Sequence, residues 1–488
     1  MNAPANPANP AKPLDVAVIG AGPAGLTAAT LCAEFGLAVA LYDEHPTPGG
    51  QIYRNVTASP VRPPEVLGAD YWHGANIVRP FLSSGAAYVP GATVWAVSKC
   101  EDGAYELGVS TGAPGARQSQ LVPARAVIVA TGAQERPFPI PGWTLPGVMS
   151  VGAAQLLLKT AAEVPSGRVV LAGSGPLLWL LASQYLAVGV VPEAMLDTTP
   201  RGRYAEAAAH AWGFMRSEYF AKGLKLVRDV RARVRIIEHV TALAAEGRGR
   251  LDTVRYEVDA RVQSIPADLL LLHQGVVPNI NLTNAIGCEH HWNALQSCFD
   301  PVVDDWGGTS VPNVYIAGDG AGVAGAAAAE ASGRIAALGV ANGLGRIDAK
   351  ERDARAAEPR QAHARATRGR RFFDTLYRPA DAFRLPRGDT IVCRCEEVTA
   401  QQILDAVATG CAGPNQLKSY LRCGMGPCQG RFCGLTVTEL IARARAMHPQ
   451  DVGYYRLRFP VKPITLGELA ALPADATAVA AVDRAPGH

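Results

Sequence analysis

Six of the ten cysteines fall between Cys393 and Cys433, a crowding that is the first chemical signal in this chain of 488 residues. The run opens with Cys393-Arg394-Cys395 and returns as Cys423-Gly424-Met425-Gly426-Pro427-Cys428-Gln429-Gly430-Arg431-Phe432-Cys433-Gly434. Two tight cysteine groups about thirty residues apart converge when the chain between them folds back. Four thiolates suit either Zn or a [2Fe-2S] cluster, and spacing alone leaves both open. Buried inert cysteines would not need glycines packed around them. In a reducing compartment such clustering argues for metal and against disulfides. Cys411 and Cys423 are extra thiols, and Cys423 competes as a ligand.

The second signal is a set of glycine loops, each placed after an apolar β-type run. Val16-Ala17-Val18-Ile19 leads into Gly20-Ala21-Gly22-Pro23-Ala24-Gly25. Gly20 permits a tight turn, Gly22 lets the backbone approach a pyrophosphate, and Gly25 lets helix and strand pack closely. The helix that follows offers free N–H groups and a partial positive charge to the phosphates. Asp43 ends the next strand, about twenty positions past Gly25, where a carboxylate accepts hydrogen bonds from a ribose diol. Glu44 is the neighbouring alternative. Gly49-Gly50-Gln51 follows and approaches the flavin side of a dinucleotide. Ala130-Thr131-Gly132 follows the strand Ala126 to Val129, and Gly318-Asp319 follows Val314-Tyr315-Ile316-Ala317. Asp319 is placed to bond ribityl hydroxyls, and the helix from about Gly325 aims its positive end at the ring. Several close backbone approaches suit a long, extended dinucleotide, FAD rather than NAD.

Gly173-Ser174-Gly175-Pro176-Leu177-Leu178 begins like a second fingerprint, after Val169-Val170-Leu171-Ala172. Leu178 replaces its third glycine. Gly173 and Gly175 therefore mark either a degenerate lobe kept for packing or a site for some nucleotide, ATP or NAD(H). No cysteine follows Gly49-Gly50, and residues 151–275 contain none, so dithiol–disulfide chemistry at the flavin is not expected.

These loops need strands and helices in alternation, a doubly wound α/β architecture. With 50 glycines and 48% hydrophobic residues the composition suits it, and the length implies two or three domains. We expect a disordered tail over 1–14, one dinucleotide-binding domain from 15–150 and 276–345, and a second such lobe over 151–275. A solvated helical linker follows over 346–389, then a cysteine module over 390–446 and a C-terminal tail over 447–488. Arg458-Phe459-Pro460-Val461-Lys462-Pro463 in that tail reads as an extended strap, because its prolines preclude a regular helix. A net charge of +3 gives no sign of a nucleic-acid partner. No apolar run reaches the roughly eighteen residues of a membrane span. The start of the chain lacks signal-peptide features, so a cytoplasmic location is the default, with membrane association only peripheral and through partners. His45, His73, His210, His273, His290 and His291 are read as structural.

The glycine loops together resemble the two-dinucleotide-binding-domain flavoproteins, in which such elements contact FAD. By that resemblance Val94, in Thr93-Val94-Trp95, matches a backbone contact to adenine. The cysteine segment resembles the bacterioferritin-associated-ferredoxin-like [2Fe-2S] domain, which implies Cys393, Cys395, Cys428 and Cys433 as ligands. A redox cluster beside a flavin gives a one-electron exit from a two-electron carrier, which Zn does not. The whole chain after residue 14 resembles the large (α) subunit of heteromeric flavin-dependent amine dehydrogenases. These include opine oxidases, D-hydroxyproline dehydrogenase, dye-linked L-proline dehydrogenase and hydrogen cyanide synthase. The segments that carry this likeness are Asp43 to Arg54, Thr131 to Pro137, Gly173 to Leu178 and Cys428 to Gly434.

The resemblance implies the fold: α/β, a two-dinucleotide-binding-domain flavoprotein with a small C-terminal helical [2Fe-2S] domain. It implies a β subunit similar to D-amino-acid oxidase, with its own FAD and the substrate site, where a C–N bond is oxidised. It further implies an electron acceptor, FMN at a subunit interface in some relatives, and a small ferredoxin-like subunit. This chain would then be the electron-transfer subunit, in keeping with its lack of an evident acid–base constellation. Two other readings compete: a stand-alone NAD(P)H-dependent flavin/iron-sulfur reductase, and a non-catalytic redox or cluster scaffold.

Overall fold

The computed structural model describes residues 13–113 and 115–473. The tail expected over 1–14 therefore lies almost entirely outside the described residues, which open at Pro13 just before the first strand.

Strand Leu14–Ile19 is apolar almost throughout and nearly all buried, as a central parallel strand covered on both faces must be. It pairs in parallel with Val39–Asp43 on one side and with the second half of Gln118–Val129 on the other. Ala87–Pro90 extends the sheet beyond Val39–Asp43, and Val314–Ile316 joins past Gln118–Val129. The first half of that long strand leaves the parallel sheet and pairs antiparallel with Tyr105–Thr111, which carries Thr93–Lys99.

Helices Pro23–Glu34 and Ala326–Gly343 cover one face and cross at backbone contact distance. A Cβ at Gly333 would stand 2.1 Å from Ala24 O, so only glycine permits this approach. That crossing accounts for the alanine-rich sequence of both helices, since larger side chains would force them apart.

The chain leaves this lobe through Ala133–Glu135 and returns through Val276–Pro278, and these two connections pair antiparallel. The second lobe has a parallel sheet in the order Ile236–Ile237, Ala194–Asp197, Val169–Ser174, Leu269–Gln274, Val148–Ser150. An antiparallel sheet, Ala242–Glu246, Thr253–Val258 and Arg261–Pro266, packs with it in one core.

Residues 346–389, expected as a solvated linker, are packed instead. Helix Ala349–Ala366 lies along Ala326–Gly343, with Ala356, Pro359 and Ala366 buried. Its Arg352 and Arg360 lie on the ring of Trp306, covering it with their guanidinium planes. Phe372 stacks on Phe214 of the second lobe, and Phe383 enters that lobe's core beside Phe138. The charges along this helix suggest solvent on every side, but its small buried residues form a face that only the flavin lobe explains.

The C-terminal module has its own core, in which Val392, Ile403, Leu417, Val437 and Ile441 surround the cysteines. A short ribbon, Ile391–Cys393 with Val398–Thr399, leads into helix Ala400–Ala408 through a Thr399–Gln402 capping box. Helices Pro414–Leu421 and Gly434–Ala444 complete it. The segment expected as a separate tail from residue 447 belongs in part to this module, because Tyr455 and Leu457 fill its core. Among the described residues no helix is long and apolar enough to cross a membrane.

Candidate functional site

The first glycine loop is built by close approach. A Cβ at Gly20 would stand 2.4 Å from Ala130 O, and one at Gly25 only 1.8 Å from Gly20 O. Gly22 differs: the nearest atom to a Cβ there is Gly50 Cα at 4.0 Å. The space beside Gly22 is thus open except toward Gly50. Helix Pro23–Glu34 begins at that point with no side-chain cap, so its first N–H groups face that space unpaired. An open floor with unpaired donors fits a diphosphate.

Asp43 is buried at the end of its strand. Its Oδ2 accepts from Ala21 N at 2.6 Å and its Oδ1 from His45 N at 2.8 Å, which fixes the carboxylate against the glycine loop. Glu44 points elsewhere, to a 2.9 Å ion pair with Lys462 of the C-terminal segment. Of the two candidate acids, Asp43 is the one at the loop. Val94 is buried in Thr93–Lys99, and Ala92 N donates to Asp43 O.

Gly49 N donates to Ala21 O at 2.8 Å, and Gly50 sits over Gly22. Arg54 pins this turn, donating from Nε to Gly50 O at 2.9 Å and from a terminal nitrogen to Gln51 Oε1 at 3.1 Å. Lys159 pins it from behind, with Nζ 3.3 Å from Gln51 O and 3.0 Å from Ile52 O. Burial, aided by Arg54, lowers the Lys159 ammonium to about 7. Nothing in the local sequence marks Lys159, which comes from a helix about a hundred residues away.

Thr131 and Gly132 follow Gln118–Val129 and meet Asn279 of the return connection, whose N–H donates to Gly132 O at 2.9 Å. Gly318 packs against Ala24. Asp319 Oδ1 accepts from Ala324 N and Gly325 N, both at 2.9 Å, bracing the turn before Ala326–Gly343. Gly20, Gly22, Gly25, Asp43, Gly50, Gln51, Thr131, Gly132, Gly318 and Asp319 thus lie at, or in the loops just past, the carboxyl ends of the parallel strands. This is where an open α/β sheet binds its ligand.

The thiols form a second centre. The Sγ atoms of Cys393, Cys423 and Cys433 all lie within 4.8 Å of one another and are buried. Hydrogen bonds from Cys423 and Cys433 hold the Cys393 thiol far below the usual thiol range. The same contacts push Cys423 up to about 12 and Cys433 well above its usual value. Cys395 and Cys428 form a second pair at the rim, joined by a side-chain hydrogen bond, with Cys395 exposed. Of the four expected ligands, Cys393 and Cys433 meet Cys423 in one buried group, while Cys395 and Cys428 lie outside that group. Cys411 is buried apart, donating to Gly413 O at 3.5 Å. A Cβ at Gly426 would stand 2.2 Å from Cys395 Cβ, which explains a glycine there. Soft thiol sulfurs gathered in this way fit a metal centre, zinc or an iron–sulfur cluster.

The cysteine loop is tied to the first lobe by two side-chain hydrogen bonds. Gln134 Nε2 donates to Arg431 O at 2.8 Å, and Asn281 Nδ2 donates to Gln429 O at 3.0 Å. Gln134 is two residues past Gly132, and Asn281 is two past Asn279.

The second glycine loop keeps its turn, with φ at +134° in Gly173 and +126° in Gly175. Leu178 is buried in the core, where it serves packing. Polar side chains line the crevice end. Ser174 Oγ donates to Gln274, whose Nε2 donates to Thr198 Oγ1 at 2.8 Å. His273 lies under Gly175 and shares a 2.7 Å hydrogen bond with Glu135.

Fold and site together define an oxidoreductase scaffold with two dinucleotide-binding lobes and a cysteine-bearing C-terminal module. Residues 14–341 match the family model for pyridine nucleotide-disulphide oxidoreductase, and residues 387–472 match the sarcosine oxidase A3 domain. The opine oxidase A-subunit of Rhizobium meliloti is 47% identical over 469 residues, 96% of this chain and 89% of that protein. Hydrogen cyanide synthase subunit HcnB of Pseudomonas aeruginosa is 32% identical over 472 residues, 92% of this chain and 96% of that protein. The crystal structure of L-proline dehydrogenase from P. horikoshii shares the fold, with a TM-score of 0.67 at 18% identity, over 94% of this chain and 79% of that one. The chain belongs to the pyridine nucleotide-disulphide oxidoreductase family and, within it, to the group of the opine oxidase A-subunits.

Proposed function

We propose that this chain carries FAD and a [2Fe-2S] cluster and relays electrons within a heteromeric dehydrogenase or oxidase. In this reading a partner β subunit oxidises the CH–NH donor, an opine or a secondary amino acid. Two relatives, the opine oxidase A-subunit and hydrogen cyanide synthase subunit HcnB, are themselves named as parts of larger enzymes, which supports a subunit role. The observation that carries the relay is the pair of hydrogen bonds from Gln134 and Asn281 to the loop Cys428–Cys433, beside Gly132. They tie the cysteine loop to residues close to Gly132 in the chain, which supports a short path between the two groups.

When bound, FAD accepts an electron pair as hydride and the cluster passes single electrons, so together they convert one kind of transfer into the other. The residues hold the parts in place. Asp43 orders the glycine loop and receives the ribose diol. The open floor at Gly22 and Gly50 takes the diphosphate, while Arg54 and Lys159 keep the Gly50–Ile52 turn closed over it. Cys393, Cys433, Cys395 and Cys428 hold the cluster.

The competing reading is an NAD(P)H-fed reductase. It is disfavoured by the Ser174–Gln274–Thr198 chain, whose buried side chains spend their polar groups on one another beside the second loop.

The decisive assay compares the purified chain by itself with the chain co-expressed with its neighbouring β-type subunit. Opine-dependent flavin bleaching that requires the partner supports the relay. Full bleaching by the isolated chain refutes it.

A further inference from the structure

The thiol centre holds one sulfur more than a two-iron cluster uses. Cys393, Cys423 and Cys433 meet in one buried group, and Cys395 with Cys428 adds two more thiols. Cys423, bonded to Cys393, is the thiol of that buried group that the family resemblance leaves out of the ligand set. The hydroxyl of Tyr455 donates to Cys423 Sγ at 3.4 Å and lies 3.8 Å from Cys433 Sγ.

Tyr455 is held there by the cysteine loop itself. Its ring is fully buried. A Cβ at Gly424 would stand 2.4 Å from Tyr455 Cζ, and one at Gly430 would stand 2.5 Å from its Cδ2. Both glycines also have positive φ, so the loop is shaped to receive this ring. Lys418 Nζ stands 5.1 Å from the ring centroid and donates to Arg456 O at 3.1 Å, which fixes a cation over the phenol face. Leu457 N donates to Asn284 Oδ1 at 3.2 Å, tying the segment to the flavin lobe.

We propose that Tyr455 and Cys423 are positioning residues outside the ligand set, a hydrogen-bond relay that sets the reduction potential of the cluster. The inference rests on the cluster reading above and deepens it. A donor to a ligand sulfur favours the reduced cluster, which carries one more negative charge, and so raises its potential. Removing the donor lowers it. Because Tyr455 comes from the C-terminal segment, docking of that segment on the flavin lobe enters the potential too.

The test uses the full-length chain, purified anaerobically as wild type, Tyr455→Phe, Cys423→Ala and Cys428→Ser. Iron and sulfide are assayed, and the cluster is titrated electrochemically with its paramagnetic resonance signal as readout. Tyr455→Phe and Cys423→Ala are expected to keep wild-type iron and sulfide and to titrate at lower potential, while Cys428→Ser loses the cluster. An unmoved potential in Tyr455→Phe and Cys423→Ala chains that retain their iron overturns the inference alone. Loss of iron in Cys423→Ala with retention in Cys428→Ser also overturns it, by making Cys423 a ligand. A wild-type chain that binds zinc or no metal overturns the cluster reading, and this inference with it.

Discussion

The side-chain amide of Gln134 reaches the main-chain oxygen of Arg431 across 2.8 Å, so the cysteine loop hangs from a residue two positions past Gly132. Gln134→Ala, combined with Asn281→Ala, removes both loop contacts. Each is expected to cost about 1 kcal/mol. FAD and iron content should stay at wild-type levels while hydrogen exchange over 424–434 speeds up and flavin-to-cluster electron transfer slows in stopped flow. Unchanged exchange and unchanged transfer would show that the contact holds nothing.

Gly22 and Gly25 predict opposite outcomes for one added methyl. At Gly25 it meets Gly20 O at 1.8 Å, so Gly25→Ala should destabilise the lobe by about 1–3 kcal/mol, read as a lowered thermal midpoint. At Gly22 the methyl meets no protein atom closer than 4.0 Å. Gly22→Ala should therefore fold normally and lose FAD affinity by at least about tenfold, or ~1.4 kcal/mol. Retention of flavin at wild-type affinity in Gly22→Ala would remove the diphosphate from this loop.

Lys159 gives the stability a pH dependence. Its ammonium titrates near 7 in the folded chain, below the ordinary lysine value of 10.5. Between those values the unfolded chain binds the extra proton, so stability rises with pH across the window, by at most about 1.4 kcal/mol per pH unit. Below about pH 7 the cost of the buried cation is fully present. Lys159→Met should flatten the urea-unfolding profile between about pH 7 and 10. A profile identical to wild type would place the proton elsewhere.

NADH should leave the flavin spectrum unchanged on rapid mixing, since Ser174, Gln274 and Thr198 are buried beside the second loop with their polar groups spent on one another. Bleaching at a rate that saturates with NADH would restore the self-sufficient reductase.

Much of this protein is legible in order along the chain. Gly20, Gly22, Gly25 and Asp43 announce their role because a tight turn, a close approach and a ribose acid each demand a residue type at a fixed spacing. Cys393 through Cys433 stand out because soft residues crowd within one short module, the pattern on which the proposed cluster rests. The helix over 349–366 is legible as a helix, but its alanine face becomes meaningful only against Trp306 and helix Ala326–Gly343. Glu44 and Asp43 are indistinguishable until Lys462 draws one of them away.

Lys159, Tyr455 and the contact from Gln134 to Arg431 belong to the tertiary structure alone. Each joins segments distant in the chain, or fills a space that two glycines open, and no local period or motif encodes such a meeting. Local sequence specifies what the backbone must permit within a turn. Long-range packing decides which side chains arrive there, because burial is shared among elements that no single segment contains.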